Sequence, residues 1–302
     1  MHSTLDRLII RSVTAFICLA SSSLFADTAI LVALPSEYDA VRKEVRLVGQ
    51  PVELAQHKIS IGYRKGEKLY VVRTGAGNIN AAMTTQAVLT RYKVDRVISI
   101  GVAGNLNDDW KVDDVLVATD VVNHQQGKET PAGFAAKEPA ISRQLSAEYG
   151  HKCEELRSNA MEVARALLDG SQPARTNGAT EVLRQAQGGN IVGGLKAESR
   201  QPRAGIRQGR LVSGDSFIAS TEKRKWLRQT FKADAVDMVA GGIAGVCEAN
   251  GVPYVIIRVL SDNADESASE DFGRFVNAYK EPVTVPIAVK LLEKVAADKS
   301  GE

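Results

Sequence analysis

Four polar segments of this sequence fall directly after apolar runs, and two of them carry an acid where proton transfer could be done. Glu37 stands two residues beyond Pro35, which interrupts the run Ala29-Ile30-Leu31-Val32-Ala33-Leu34. Such a run reads as a buried parallel strand, and open α/β sheets bind ligands beyond the carboxyl ends of their strands. A carboxylate there faces the ligand crevice, although a glutamate in a first helical turn also serves simply as a favourable dipole partner. Ser261-Asp262-Asn263-Ala264-Asp265 follows the apolar run of residues 254–260. Asp262 reads either as a helix cap or as a general acid. Thr74-Gly75-Ala76-Gly77-Asn78 follows the run 69–72. Its glycines let the backbone approach a ligand, and the amides after them can hold polar groups, but the segment lacks a dinucleotide fingerprint and a P-loop lysine. In Ser213-Gly214-Asp215-Ser216-Phe217-Ile218 a polar turn leads into an aromatic ring. Phe217 offers a stacking surface beside hydrogen-bonding backbone, or it is a core residue, as an isolated phenylalanine usually is.

Positioning these segments requires strands and helices in alternation. The sequence predicts strands at residues 29–34, 69–72, 97–100, 115–122, 211–212, 235–236 and 255–260. Helices are expected over 38–45 with Ser36 as N-cap, 79–91, 241–249 and 284–296. That alternation implies an α/β sheet covered on both faces. Residues 137–207 break the rhythm: a charged helical pattern over 141–168 gives way to stretches rich in small and polar residues. They read as a helical and loop excursion on the main fold, with a small separate domain as the alternative.

With 44% hydrophobic and 25% charged residues the chain is globular, and its 302 residues suffice for a sizeable core. A net charge of +2 supplies no bulk field toward nucleic acid or anionic lipid. The first 26 residues read as a signal peptide: Arg7 and Arg11, then an apolar, uncharged run that ends in Leu24-Phe25-Ala26. The run is short for a bilayer span, so cleavage near Ala26, no stable membrane insertion afterwards, and a periplasmic or secreted protein are expected, with an uncleaved anchor as the alternative. Cys153 and Cys247 remain beyond the leader, and no bridge between them is expected because Cys247 lies in an apolar helical run.

In order along the chain, the first strand with Glu37, Thr74-Gly75-Ala76-Gly77, Gly101-Val102-Ala103-Gly104, Lys111-Val112-Asp113-Asp114, Pro131-Ala132-Gly133-Phe134, Val212-Ser213-Gly214-Asp215-Ser216-Phe217-Ile218, Ala235-Val236-Asp237-Met238 and Ser261-Asp262-Asn263-Ala264-Asp265 resemble one family. It is the family of nucleosidases that cleave methylthioadenosine and S-adenosylhomocysteine, within the nucleoside phosphorylase superfamily. The resemblance implies a single domain over residues 27–302 with a three-layer αβα sandwich around a mixed, largely parallel sheet. It implies hydrolysis of a purine nucleoside at its N-glycosidic bond, with no metal or organic cofactor, by a homodimer or higher homo-oligomer. Glu37 matches the water-activating carboxylate, and Asp262 the acid that protonates the purine at N7. Phe217 matches the ring that stacks on the base, Ile218 the residue whose backbone reads the base edge, and Met238 a residue packed on the sugar. Gly77 and Ser261 lie in the matched motifs and join the binding set. The phosphate-binding arginine of a phosphorylase is not evident after the first strand, and Glu37 there points to water as nucleophile.

Three positions depart from the family pattern. Val239 stands where a glutamate grips the ribose hydroxyls, with Asp237 as a partial substitute if its side chain turns inward. Val102 stands where a small polar residue is usual, and the loop between His124 and Pro131 is short. A non-catalytic purine or nucleoside binder is therefore the alternative function, and a phosphorylase a more distant one.

Overall fold

A computed structural model of the chain describes residues 26–136, 146–169, 204–279 and 282–300. The expected leader, residues 1–26, lies outside these residues except for Ala26, and of the excursion at 137–207 only 146–169 and 204–207 are described.

Strand β1 (Thr28–Val32) is buried along its whole length, as an uninterrupted run of Ala, Ile, Leu and Val should be when both faces of a parallel sheet are covered. It pairs in parallel with β4 (Glu67–Arg73) on one side and with β5 (Arg96–Asn105) on the other. The remaining strands are β2 (Arg46–Leu54), β3 (His57–Arg64), β6 (Val115–Asn123), β9 (Ile206–Ser213), β10 (Ala235–Asp237) and β11 (Tyr254–Asp262), with a small separate hairpin of β7 (Gly127–Thr130) and β8 (Gly133–Ala136). The main sheet has nine strands in the order β10-β9-β6-β11-β5-β1-β4-β3-β2.

Helices cover both faces. On one side α1 (Pro35–Lys43), α3 (Ala147–Asp169) and α7 (Thr284–Ser300) bury Val41, Leu156, Met161, Leu291 and Leu292 against Ile30, Ile98 and Ile257. On the other, α2 (Asn78–Arg91) and α5 (Ala240–Asn250) bury Ala81, Val88, Ile243 and Cys247 against Leu31, Val97 and Ile256. Helices α4 (Thr221–Phe231) and α6 (Ala268–Ala278) complete the described elements. Cys153 and Cys247 are both buried free thiols.

Two expectations need correction. The sheet is mixed, but it is not the middle layer of a simple sandwich. β10 pairs in parallel with β9 and antiparallel with the far end of β5, at Asn105 and Gly104, so β5, β11, β6, β9 and β10 close into a barrel-like ring. Register shifts between Ala118 and Asp120 and between Leu260 and Asp262 supply the local bending that closure requires. The second correction concerns the first helix. It starts at Pro35 with Leu34 at the cap position, so Ser36 is not the N-cap. Proline suits the first helical position because its missing N–H is an unpaired donor there anyway.

Helices α2 and α5 approach closely at Gly242. A Cβ there would fall 2.2 Å from the Asn78 carbonyl oxygen and 2.9 Å from the Ala82 amide nitrogen. Both atoms are backbone and cannot swing aside, so Gly242→Ala must push the helices apart. Overpacking of this kind costs about 1–3 kcal/mol, a fall in Tm of roughly 2–10 °C for a domain of this size. Thermal unfolding of the variant followed by circular dichroism checks this; an unchanged Tm would contradict the packing.

Candidate active site

Several strand ends converge on one cavity of about 670 Å³, counting its open mouth. β1 and β11 flank β5 on either side. Glu37 sits in the first turn of α1, after β1, and Asp262 ends β11, so the two acids lie on opposite sides of β5, with about 10 Å between the axes of β1 and β11.

Asp262 lies at the register shift of β11, an irregularity of the kind that re-aims a side chain. Its Oδ1 accepts from the Ala264 amide at 2.9 Å and its Oδ2 from the Ser261 hydroxyl at 2.7 Å. Burial raises its pKa, and the nearby Asp271 and Asp265 carboxylates push the same way, against the two hydrogen bonds. Gly104 leaves it room: a Cβ there would sit 3.0 Å from Asp262 Oδ1. Asp262 and Ser261 both line the cavity.

Glu37 is fully buried directly behind the wall formed by Ala33 and Leu34. Its Oε2 accepts from the Leu34 amide at 3.0 Å, while Oε1 has no protein hydrogen-bond partner. Burial pushes its pKa up to about 7, opposed by the Leu34 N–H and the charge of Arg258. A carboxylate that exchanges its proton near neutrality, with one oxygen uncommitted, can orient and deprotonate a water.

The segment Ser213–Ile218 forms another wall. Phe217 is 41% exposed and lines the cavity rather than the core, edge-on to Phe272 at 5.6 Å between ring centroids. Ile218 is buried and also lines the cavity. Two residues after β6 brace this loop. Gln125 Oε1 accepts from the Asp215 amide at 2.9 Å. The ring of His124 packs under Gly214, where a Cβ would lie 2.2 Å from Nε2. Burial, with the Lys223 charge adding, pushes the pKa of His124 down to about 4, so it acts as a neutral ring near pH 7. From the other side, Asp215 Oδ1 accepts from the Asn78 amide at the start of α2 at 2.6 Å. Gly77, at φ 97°, makes this approach possible: a Cβ there would meet the same oxygen at 3.2 Å. Gly77 therefore shapes the turn, and Ala76 rather than Gly77 contributes to the cavity wall.

Met238 and Val239 both line the cavity. Asp237 does not offer the free carboxylate expected of a sugar-side substitute. Its Oδ1 lies 2.7 Å from the Ser213 hydroxyl and accepts from the Val239 and Ala240 amides. Its Oδ2 accepts from Arg258 Nε at 2.9 Å and from the Ala240 amide at 3.2 Å. The residue is committed to capping α5 and pairing Arg258.

Arg258 is the important residue that the sequence reading overlooked. It is fully buried and lines the cavity. Its Nη1 donates to the Ser99 and Ile257 carbonyls and its Nη2 to Ser99 Oγ. The signal was present: a lone charge inside the apolar run 254–260 must find a buried partner. Phe272, on α6, is the second overlooked wall residue. Val102 lines the cavity and packs beside Phe275 and Tyr279. Among the described residues, no cluster of His, Cys, Asp and Glu is arranged to hold a metal ion, and no helix is long and apolar enough to cross a membrane.

The chain belongs to the phosphorylase superfamily, whose family model matches residues 27–284. Within it, the chain is 27% identical over 247 residues to the aminodeoxyfutalosine nucleosidase of Helicobacter pylori strain J99, covering 78% of this chain and 89% of that protein. It is 29% identical over 248 residues to the 5′-methylthioadenosine/S-adenosylhomocysteine nucleosidase of Staphylococcus aureus strain MRSA252, covering 82% and 91%. Among solved structures, the corresponding Neisseria meningitidis nucleosidase in complex with methylthio-immucillin-A superposes with a TM-score of 0.68 at 24% identity, covering 89% of this chain and all of that one. The native futalosine hydrolase of H. pylori strain 26695 gives a TM-score of 0.62 at 25% identity, covering 92% and 100%.

Proposed function

We propose that this protein hydrolyses the N-glycosidic bond of a purine nucleoside, releasing the free base and the sugar. The observation that carries this is a pair of buried acids on opposite sides of β5, Asp262 lining the cavity and Glu37 buried behind its Ala33–Leu34 wall. Both have raised pKa values. The H. pylori and S. aureus relatives are nucleosidases, which supports the same reaction class.

Breaking the bond between sugar and base leaves positive charge on the sugar and negative charge on the departing purine. Asp262, whose proton burial helps retain, delivers it to the base, stacked on Phe217 and read at its edge by the backbone at Ile218. Glu37, ionised, takes a proton from the water that attacks the anomeric carbon from the other side. One acid serves the leaving group and one carboxylate the water, which is the logic of inverting glycoside hydrolysis. Water is favoured over phosphate as nucleophile because Arg258, the cationic residue of the wall, is committed to Asp237, Ser99 and Ile257.

The test is incubation of the protein with a panel of purine nucleosides, with and without phosphate, quantifying free base by chromatography. Base release at equal rates in both conditions is the expected result. Release only with phosphate would identify a phosphorylase, and binding without release a nucleoside-binding protein.

A further inference from the structure

The wall running from Asp262 toward Glu37 is where the sugar must sit if the nucleosidase reading holds. In the β5–β11 ladder Asp262 stands opposite Gly104, and Arg258 opposite Gly101. Arg258 lies on the Glu37 side, close enough for its charge to act on that carboxyl. The cavity wall that carries Asp262 also includes Gly101, Met238, Val239, Arg258 and Asp237.

A ribose presents this wall with a vicinal diol whose two O–H groups each need an acceptor once water is excluded. Arg258 can accept nothing, because a guanidinium carries only donors. Asp237 already receives the Ser213 hydroxyl, the Val239 and Ala240 amides and Arg258 Nε. It cannot take a diol without giving up the cap of α5 or the partner of a fully buried guanidinium. Val239 is buried against the apolar core on this same wall and has no polar atom to offer. Glu37 and Asp262 are occupied by the chemistry.

We propose, resting on the nucleosidase reading, that this sugar subsite selects purine 2′-deoxynucleosides over ribonucleosides, and that Val239 together with the saturated Asp237 sets the preference. A 2′-deoxy sugar brings one donor fewer to the wall and places a methylene where Val239 can pack on it.

The experiment pairs 2′-deoxyadenosine with adenosine. kcat/KM is measured on the wild type, and Kd by calorimetry on Asp262→Asn, which reads the subsite without turnover. The wild type should favour the deoxynucleoside. Val239→Glu, and Val239→Gln as the uncharged acceptor in case the acid prevents folding, should shift the ratio toward the ribonucleoside by roughly five- to a hundredfold, the range expected when an unpaired buried donor gains a partner. A wild type that uses the two nucleosides equally or prefers adenosine overturns the proposal, as do folded Val239 variants that leave the ratio unchanged. If neither nucleoside is hydrolysed but binding favours the deoxynucleoside, the hydrolytic reading fails and the subsite assignment stands. If neither binds, both fall.

Discussion

Asp262→Asn is expected to lower kcat by about a hundred- to ten-thousandfold, the usual worth of a general acid, while binding of free adenine changes little. The substitution keeps the volume of the side chain, and its amide oxygen can still accept from Ala264 N, the 2.9 Å bond that fixes the side chain at the strand end. The amide nitrogen would face Ser261 Oγ, which can turn to accept where it now donates at 2.7 Å. The variant should therefore fold and hold a purine against Phe217. What it loses is an ionisable proton, and without it the purine must leave as an anion. Chromatographic measurement of base release alongside calorimetry with adenine separates the two effects. Unchanged turnover would refute the acid role, and equal losses of turnover and adenine binding would make Asp262 a wall residue only.

Both acids were legible because parallel strands buried on two faces leave long apolar runs, and the residues directly after such a run fall at the ligand edge of the sheet. That logic located Glu37 after β1, Asp262 at the end of β11 and the Ser213–Ile218 loop after β9. It failed for the β2–β3 hairpin. There β2 is largely exposed and carries Pro51, and the two turn residues, Ala55 and Gln56, adopt φ of 52° and 63° without a glycine to announce them. Barrel closure was illegible for a different reason. It depends on β10, three residues long, pairing with a strand some 130 positions earlier, and no local periodicity reports such a contact. Asp237 shows the limit most clearly. Its place in the motif fits a sugar contact, yet the buried charge of Arg258 and the open amides of α5 claim all its acceptor capacity. That competition becomes visible only once four segments of the chain are brought together.

Glu37→Gln should change both the rate and the pH dependence, and the two readouts constrain each other. An ordinary glutamate titrates near 4.5; here burial pushes the value to about 7. If Glu37 must be ionised to activate water, kcat/KM of the wild type rises with pH through about 7, because kcat/KM reports the free enzyme. The glutamine variant should lose that ascending limb along with about a hundredfold or more of activity at pH 8. Stability moves in the opposite direction. A carboxyl whose folded pKa lies above its unfolded value binds its proton more tightly when folded, so its stabilising contribution is complete below about 4.5 and is lost as pH rises through 7. Above that the wild type holds a buried anion, at a cost on the order of 3 kcal/mol relative to its protonated form. The Leu34 N–H and Arg258 offset part of the desolvation without cancelling it. Glutamine carries no such charge at any pH. The Tm of Glu37→Gln relative to the wild type should therefore climb between pH 5 and pH 8.5 while its activity stays low across that range. A variant that is slow but shows a pH-independent Tm difference would mean that Glu37 is already ionised at pH 5, and the ascending limb would then belong to another group. A variant with wild-type turnover would remove Glu37 from the chemistry altogether.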